Sequence, residues 1–264
     1  MTTRFTGRYV FVAGLHRTGT SLLARLLEAH PQIAAITDAP VPENEGCFLQ
    51  GAIAHTAQSG IPGRYATDPA QHLIENCRFD TQATRERLEE DWQPWFTPGG
   101  QWRLEKSAVN LTRMRLYQQL FPLSQFIVIL RHPEAMAAAL AKWTDAPASE
   151  LIDYALDAYD IALADMKYLH SSYLLRYEDL VQAPELYLES LFAWLSLAPI
   201  AARLNVRDGN ADYIGTQPMT AEQAERARQL GYFPRLQIDA FDPAISQPLR
   251  SVRETAQGVV SNKD

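Results

Sequence analysis

The chain has 264 residues, of which 47% are hydrophobic and 21% are charged, and its formal net charge is −7. These values exclude disorder over the whole chain and argue against a general nucleic-acid or anionic-membrane binder. No apolar run approaches the roughly 20 residues that a membrane-spanning helix needs.

The cysteines and the amino terminus point to a reducing compartment. Cys47 and Cys77 are the only cysteines, and the first predicted strand begins too early to leave room for a signal peptide. No Cys/His group has zinc-ligand spacing, so no metal site is expected. The expectation is a cytoplasmic protein with free thiols and a single domain over residues 1–264.

The first predicted element is a buried strand, because residues 9–13 read Tyr-Val-Phe-Val-Ala, a run of β-branched and aromatic residues. A turn over residues 14–19 follows, and residues 21–29 have the apolar spacing of an amphipathic helix. Such a strand, glycine-bearing turn and helix N-terminus form an anion cradle, since unpaired N–H groups and the helix dipole point at one spot.

The turn differs from the ATP-binding loop G-x-x-x-x-G-K-[ST] in one position. Residues 14–21 keep both glycines and the final serine, but Thr20 stands where the lysine belongs. That lysine contacts the β- and γ-phosphates of a nucleoside triphosphate, so its absence argues against an ordinary ATPase or kinase. Arg17 supplies a positive charge from within the loop instead.

The remainder of the chain alternates strands with helices, which predicts an α/β fold with a mostly parallel sheet covered on both faces. Residues 37–70 are rich in Pro and Gly and are interpreted as a lid or acceptor loop, and a flexible tail is expected from about residue 247. Further strands are predicted over residues 33–36, 102–106, 126–130 and 173–177, and helices over residues 67–74, 84–95, 111–120, 133–143, 149–168, 184–196 and 221–230.

Two basic residues lie at the carboxyl ends of predicted strands. Arg131 comes directly after the strand at residues 126–130, and Lys106 ends the strand at residues 102–106. Ligands of open α/β sheets bind at the carboxyl ends of the strands, and the planar donor fork of arginine suits a phosphate. A structural arginine that pairs with a carboxylate and a solvent-exposed turn lysine are the alternative interpretations.

In this order the motifs resemble those of sulfotransferases that use 3′-phosphoadenosine 5′-phosphosulfate (PAPS). The stretch Arg17-Thr-Gly-Thr-Ser-Leu-Leu resembles their 5′-phosphosulfate loop, the segment ending at Arg131 their 3′-phosphate segment, and residues 177–180 their Tyr-Glu-Asp-Leu stretch. The resemblance extends over roughly residues 8–200. It implies the three-layer sulfotransferase sandwich with a P-loop-like strand–loop–helix.

The resemblance also implies the residues that bind PAPS. They are Arg17, Thr18, Gly19, Thr20, Ser21, Leu22 and Arg131, together with Arg207 and Gly209 in a basic loop of the kind that closes over the nucleotide. One position departs from the family: a serine is common eight residues after the arginine, and Ala139 stands there. Another side chain or backbone N–H groups would replace that ligand. Residues 177–180 are assigned a mainly structural role.

Sulfuryl transfer to a hydroxyl needs charge stabilisation and a proton acceptor. By resemblance, Lys106 and Arg17 supply the positive charge at the reacting group. The base is expected just after the His-Pro at residues 30–31, where Glu45 is preferred, then Glu43, then Asp38; the sequence leaves His16 and His55 open as further candidates.

The predicted function is transfer of the sulfuryl group of PAPS to a hydroxyl of a small-molecule or peptide acceptor, with no metal, nucleic-acid or membrane partner. Two alternatives stay open at this point. One is a P-loop-like nucleotide or small-molecule kinase, against which the missing lysine argues. The other is a non-catalytic protein that binds 3′-phosphoadenosine 5′-phosphate (PAP), for which Ala139 argues.

Overall fold

The computed structural model describes residues 8–54, 64–200 and 206–261. Its centre is a six-stranded sheet made of β1 (Arg8–Ala13), β2 (Ile33–Ala35), β3 (Trp102–Lys106), β4 (Gln125–Leu130), β5 (Ser172–Arg176) and β8 (Ala244–Ser246), and a separate antiparallel pair is formed by β6 (Tyr232–Phe233) and β7 (Gln237–Ile238). The order across the central sheet is β2-β3-β1-β4-β5-β8, in which the first five strands are parallel and β8 is antiparallel to β5.

Helices cover both faces of the sheet, as the alternation of elements predicts. They are α1 (Thr20–Glu28), α2 (Gly46–Leu49), α3 (Gln82–Trp92), α4 (Met114–Leu120), α5 (Pro133–Leu140), α6 (Ala148–Met166), α7 (Tyr177–Gln182), α8 (Pro184–Trp194), α9 (Ala221–Ala227) and α10 (Arg250–Ser261). None of the helices in the described ranges is both long and apolar enough to cross a bilayer.

Alternate residues of each strand point to opposite faces of the sheet, and the molecule therefore has two separate hydrophobic cores. In β1, Phe11 points to a core shared with α3, α4 and α6, whereas Val10 and Val12 point to a core shared with α1, α8 and α10. In β4, Val128 and Ile129 divide between the two cores in the same way. Near-continuous apolar strands are the consequence of burial on both faces. The predicted α/β sandwich with a mostly parallel sheet is confirmed.

The tail is the main element on which the sequence prediction was wrong. Residues 250–261 form helix α10 rather than a flexible tail, because Ala256 and Val260 bury an apolar stripe against α8. The hydroxyl of Ser190 on α8 also donates to the carbonyl of Ala256 at 2.7 Å. The helix is amphipathic but polar overall, with only Ala256 and Val260 buried, so no run of apolar residues marks it in the sequence.

The predicted lid or acceptor loop over residues 37–70 is described in part. Residues 46–49 form the short helix α2, and residues 55–63 lie outside the described residues. The helix expected over residues 67–74 is instead two single 3₁₀ turns, Tyr65–Thr67 and Pro69–Gln71. Asp68 lies between them in an extended conformation and caps the second turn by accepting from the N–H of Ala70 at 2.9 Å.

Candidate functional site

The loop between β1 and α1 closes tightly against the sheet. Arg17 and Gly19 both have positive φ, 72° and 99°, so the chain reverses with its N–H groups turned inward. A Cβ on Gly14 would lie 2.8 Å from the carbonyl of Ile129, and one on Gly19 would lie 2.5 Å from Cδ2 of Tyr177. Only glycine fits at either position.

The loop leaves a set of backbone donors without acceptors. No side chain caps α1 and no acidic residue lies in its first turn. The N–H groups of Gly19, Thr20, Ser21 and Leu22 have no hydrogen-bond acceptor among the described residues. Four such donors at the positive end of a helix dipole could hold an anion. Thr18 instead shapes the loop, because its hydroxyl and its N–H both donate to the carbonyl of Leu15.

Lys106 joins this loop to a carboxylate from the segment that follows β2. It ends β3 beside β1 and is 6% exposed. Its Nζ donates to Oγ of Ser21 at 3.1 Å, to the carbonyl of Glu43 at 2.8 Å and to Oε1 of Glu45 at 3.4 Å. A buried ammonium between an anion-binding loop and a buried carboxylate is suited to stabilise charge at a reacting group.

The carboxyl of Glu45 lies in a protected environment. Its pKa is raised, first because burial penalises the charged form and also because the carboxyl of Glu105 lies near, while the charge of Lys106 opposes the shift. Glu105 is fully buried and accepts from the N–H of Gly46 at 3.0 Å and from Asn110 at 2.6 Å. These contacts fix the turn that carries Glu45.

The other candidate bases lie elsewhere. The side chains of Asp38 and Glu43 are exposed, and Glu43 reaches Lys106 only through its carbonyl. The ring of His16 packs edge-on against Tyr65, with 5.2 Å between ring centroids, and against Trp143. His55 lies outside the described residues. Among the three carboxylates, only Glu45 contacts Lys106 through its side chain.

Arg131 is a buried cation at the carboxyl end of β4. Its Nη1 donates to the carbonyl of Arg17 at 2.7 Å and its Nε to Oδ1 of Asn210 at 2.7 Å. The guanidinium stacks on the ring of Tyr177, with Cζ 4.4 Å from the ring centroid. No carboxylate pairs with it in the described part of the chain, so its charge is available to an anion.

The segment at residues 206–213 closes over Arg131, and its two predicted residues differ in placement. The N–H of Gly209 donates to the hydroxyl of Tyr177 at 2.7 Å, and a Cβ on Gly209 would lie 3.2 Å from Nη2 of Arg131. Arg207 instead points to solvent, where it pairs with Asp212. The structure therefore brings Gly209 to the site and leaves the side chain of Arg207 outside it.

Two residues of the site are absent from the sequence prediction, Lys142 and Tyr213. Nζ of Lys142 donates to the hydroxyl of Tyr213 at 3.3 Å, and Cζ of Arg131 lies 5.4 Å from the centroid of the Tyr213 ring. The two are 71 residues apart in the chain. Neither lies in a motif, so local sequence carried no signal for them.

The Tyr-Glu-Asp-Leu stretch is structural. The carboxylate of Glu178 accepts from the N–H of His132 at 2.8 Å and from Asn210 at 2.8 Å, which ties the 206–213 segment to the turn after β4. Asp179 pairs with Arg176, with Nε and Oδ2 2.6 Å apart. Among the described residues, no three His, Cys, Asp or Glu side chains are grouped as metal ligands would be.

Comparison with known proteins assigns the family. The sequence model of the sulfotransferase family matches residues 9–200, more than half of the chain, and the chain therefore belongs to the sulfotransferase family. That membership makes it a transferase.

Two solved structures have the same fold. The sulfotransferase domain from the curacin biosynthetic pathway is 16% identical with a TM-score of 0.50, and the match covers 87% of this chain and 99% of that one. A sulfotransferase from Alicyclobacillus acidocaldarius is 16% identical with a TM-score of 0.50, covering 84% and 94%. No curated protein matches the chain.

Proposed function

We propose that the protein transfers the sulfuryl group of PAPS to a hydroxyl of an acceptor. The observation that carries the proposal is the position of the Lys106 ammonium, 3.1 Å from the hydroxyl of Ser21 in the anion-binding loop and 3.4 Å from the carboxylate of Glu45. The group that would stabilise charge on the donor and the group that would accept the proton of the acceptor thus lie next to each other.

The fit of the site to PAPS rests on two separated anion-binding features. The unpaired N–H groups of residues 19–22, with Arg17 beside them, suit the 5′-phosphosulfate. The unpaired charge of Arg131, with Gly209 against it, suits the 3′-phosphate. ATP has no 3′-phosphate, and Thr20 occupies the position at which an ATP-binding loop has lysine.

In the reaction, the acceptor oxygen bonds to sulfur while the bond between sulfur and the phosphate oxygen breaks, and PAP leaves with that electron pair. Glu45 takes the acceptor's proton. Lys106 neutralises the charge that grows on the bridging oxygen, and the loop N–H groups hold the phosphate in line. Such loose transfers depend mainly on positioning and electrostatics, as in phosphoryl transfer. Asp38 and Glu43 have no part in this scheme, whereas Arg17 contributes positive charge.

The test is thermal unfolding with PAP, ATP plus Mg²⁺, and AMP. A ligand that binds only the native state at 100 times its Kd adds about 2.7 kcal/mol to the free energy of unfolding. For a chain of this size we expect PAP to raise Tm by roughly 5–10 °C and the other two to raise it far less. Equal stabilisation by Mg-ATP would favour a kinase and contradict the proposal.

Transfer itself is then measured with PAPS and a simple phenol as acceptor, by detection of the aryl sulfate. Formation of PAP and ester in equal amounts is the expected result. A protein that binds PAP tightly but forms no ester with any of a panel of phenols and alcohols would be a nucleotide-binding relative without the activity.

A further inference from the structure

The strongest unassigned feature of the molecule is the group of cations around the Tyr213 hydroxyl. Nζ of Lys142 lies 3.3 Å from that hydroxyl and 5.0 Å from the ring centroid. Cζ of Arg131 lies 5.4 Å from the same centroid, and Arg131 is bonded to the carbonyl of Arg17. Within the described ranges, none of these three basic side chains forms an ion pair with a carboxylate, so their charges are not neutralised.

The hydroxyl hydrogen of Tyr213 is available to a ligand. It accepts from Lys142, and its own hydrogen has no acceptor among the described residues. Burial acts to raise the pKa of Tyr213, but hydrogen bonds from Lys142 and Arg17 and the charge of Arg131 outweigh it and lower the pKa below that of an ordinary tyrosine. Lys142 and Arg131 therefore place positive charge next to this hydroxyl.

The packing of Tyr213 explains why position 139 carries alanine. Ala135 and Ala139 lie one turn apart on α5, both fully buried, and the Tyr213 ring packs on this small-residue face. Ala139 therefore supports the ring of Tyr213. A hydroxyl reaches this part of the site from Tyr213 instead of from residue 139.

We propose that Lys142 and Tyr213, together with Arg131, bind the phosphomonoester of the donor nucleotide. The assignment rests on the proposed function, in which that group is the 3′-phosphate of PAPS. A phosphomonoester carries nearly two negative charges at neutral pH and offers three acceptor oxygens. One arginine cannot saturate them, whereas the Arg131 guanidinium, the Lys142 ammonium and the Tyr213 hydroxyl together supply donors for all three.

The test compares PAP with adenosine 5′-phosphosulfate, which lacks the 3′-phosphate. Titration calorimetry gives the Kd of each nucleotide for the wild-type protein and for the Tyr213→Phe and Lys142→Gln variants. Tyr213→Phe keeps the ring on its alanine face and removes only the hydroxyl. Each variant should raise the Kd of PAP roughly tenfold and leave that of adenosine 5′-phosphosulfate within about twofold.

A matched control is Lys167→Gln, which makes the same charge change at a second exposed lysine, since Lys142 is exposed as well. Lys167 is the C-cap of α6 and lies about 12 Å along the helix beyond Tyr159, a residue of α6 whose hydroxyl donates to the carbonyl of Arg131. The PAP affinity of the Lys167→Gln variant should equal that of the wild type.

Three outcomes would overturn the assignment. Wild-type PAP affinity in both variants would mean that the pair contacts no phosphate. Equal losses for both nucleotides would make it a scaffold for the 206–213 segment, and a loss confined to adenosine 5′-phosphosulfate would place it at the sulfuryl end. A wild-type protein that binds neither nucleotide would refute the proposed function itself. That result differs from the three above, in each of which the wild-type protein still binds nucleotide.

Discussion

At the scale of single residues, burial decides which acidic side chain can serve as a base. Glu45 is 8% exposed and contacts Lys106, whereas Glu43 has an exposed side chain two positions away. Burial raises the pKa of Glu45 and so gives its carboxylate a greater affinity for the proton of an acceptor hydroxyl. The same environment raises the pKa of the Cys47 thiol through burial, which keeps that thiol protonated and unreactive.

Glu45→Gln should lower kcat by about 10²–10⁴-fold, the usual effect of removing a general base, while the Kd of PAP changes little. The measurement is the initial rate of ester formation from PAPS and a phenol. Glu43→Gln is the matched control and should retain the wild-type rate, because its side chain does not reach Lys106. Full activity in Glu45→Gln would disprove this assignment and favour Glu43 or Asp38.

The pH profile of kcat/KM provides a second readout of the same residue. A raised pKa means that Glu45 keeps its proton to a higher pH than an ordinary carboxyl. The base form is therefore lost, and kcat/KM falls, as the pH decreases through a value above the normal carboxylate range. This acidic limb should be absent from the residual activity of Glu45→Gln and unchanged in Glu43→Gln.

At the scale of elements, the β1–α1 loop packs against the first residue of α7, directly after β5. Gly19 has a φ of 99° and lies against the Tyr177 ring, and that ring in turn carries the Arg131 guanidinium. The two features proposed to bind the phosphates of PAPS are thus connected through one aromatic side chain. A change in the loop should affect both.

Gly19→Ala should destabilise the protein and weaken PAP binding. The left-handed backbone costs a non-glycine residue about 1–2 kcal/mol, and the new Cβ would lie 2.5 Å from Cδ2 of Tyr177. Thermal unfolding should show Tm lower by at least roughly 2–4 °C.

Gly258→Ala is the matched control for that substitution. It lies within α10 with open space around the position of a Cβ, so it should raise the free energy of unfolding by about 0.5–1 kcal/mol. Its PAP affinity should be that of the wild type. A Gly19→Ala variant as stable and as tightly binding as Gly258→Ala would show that the loop tolerates a side chain.

At the scale of the whole molecule, the C-terminal part of the chain completes the sheet and covers its face. β8 adds an antiparallel edge to β5, and the indole of Trp194 donates to the carbonyl of Ser246 at 3.1 Å. α10 then packs on α8, with Ala256 fully buried. These elements contribute to the stability of the sheet and of its cover.

Ala256→Leu should overpack this contact and lower the free energy of unfolding by about 1–3 kcal/mol, with Tm lower by roughly 2–12 °C. PAP affinity should be unchanged. Glu254→Leu on the exposed side of α10 removes only a surface pair with Arg250, so its stability should stay within about 0.5 kcal/mol of wild type. Equal stability of the two variants would contradict the packing of α10 on α8.

The sequence alone was sufficient for the features that depend on local pattern. The apolar strands β1 and β4 can be recognised in the sequence because burial on both faces requires continuous hydrophobic runs. The anion-binding loop and Arg131 follow them directly in the chain, so the order of strand, loop and helix predicts their place at the sheet edge. The family resemblance rests on these same local segments.

Tertiary structure alone decided the features that depend on contacts between distant segments. The sequence ranks Glu45 ahead of Glu43 and Asp38, but its burial and its contact with Lys106, 61 residues further along, are seen only in the tertiary structure. Lys142 and Tyr213 meet across 71 residues in the same way. The packing of the layers determines which distant side chains meet. The local sequence pattern shows on which face of a strand or helix a side chain lies, but not which residue it contacts.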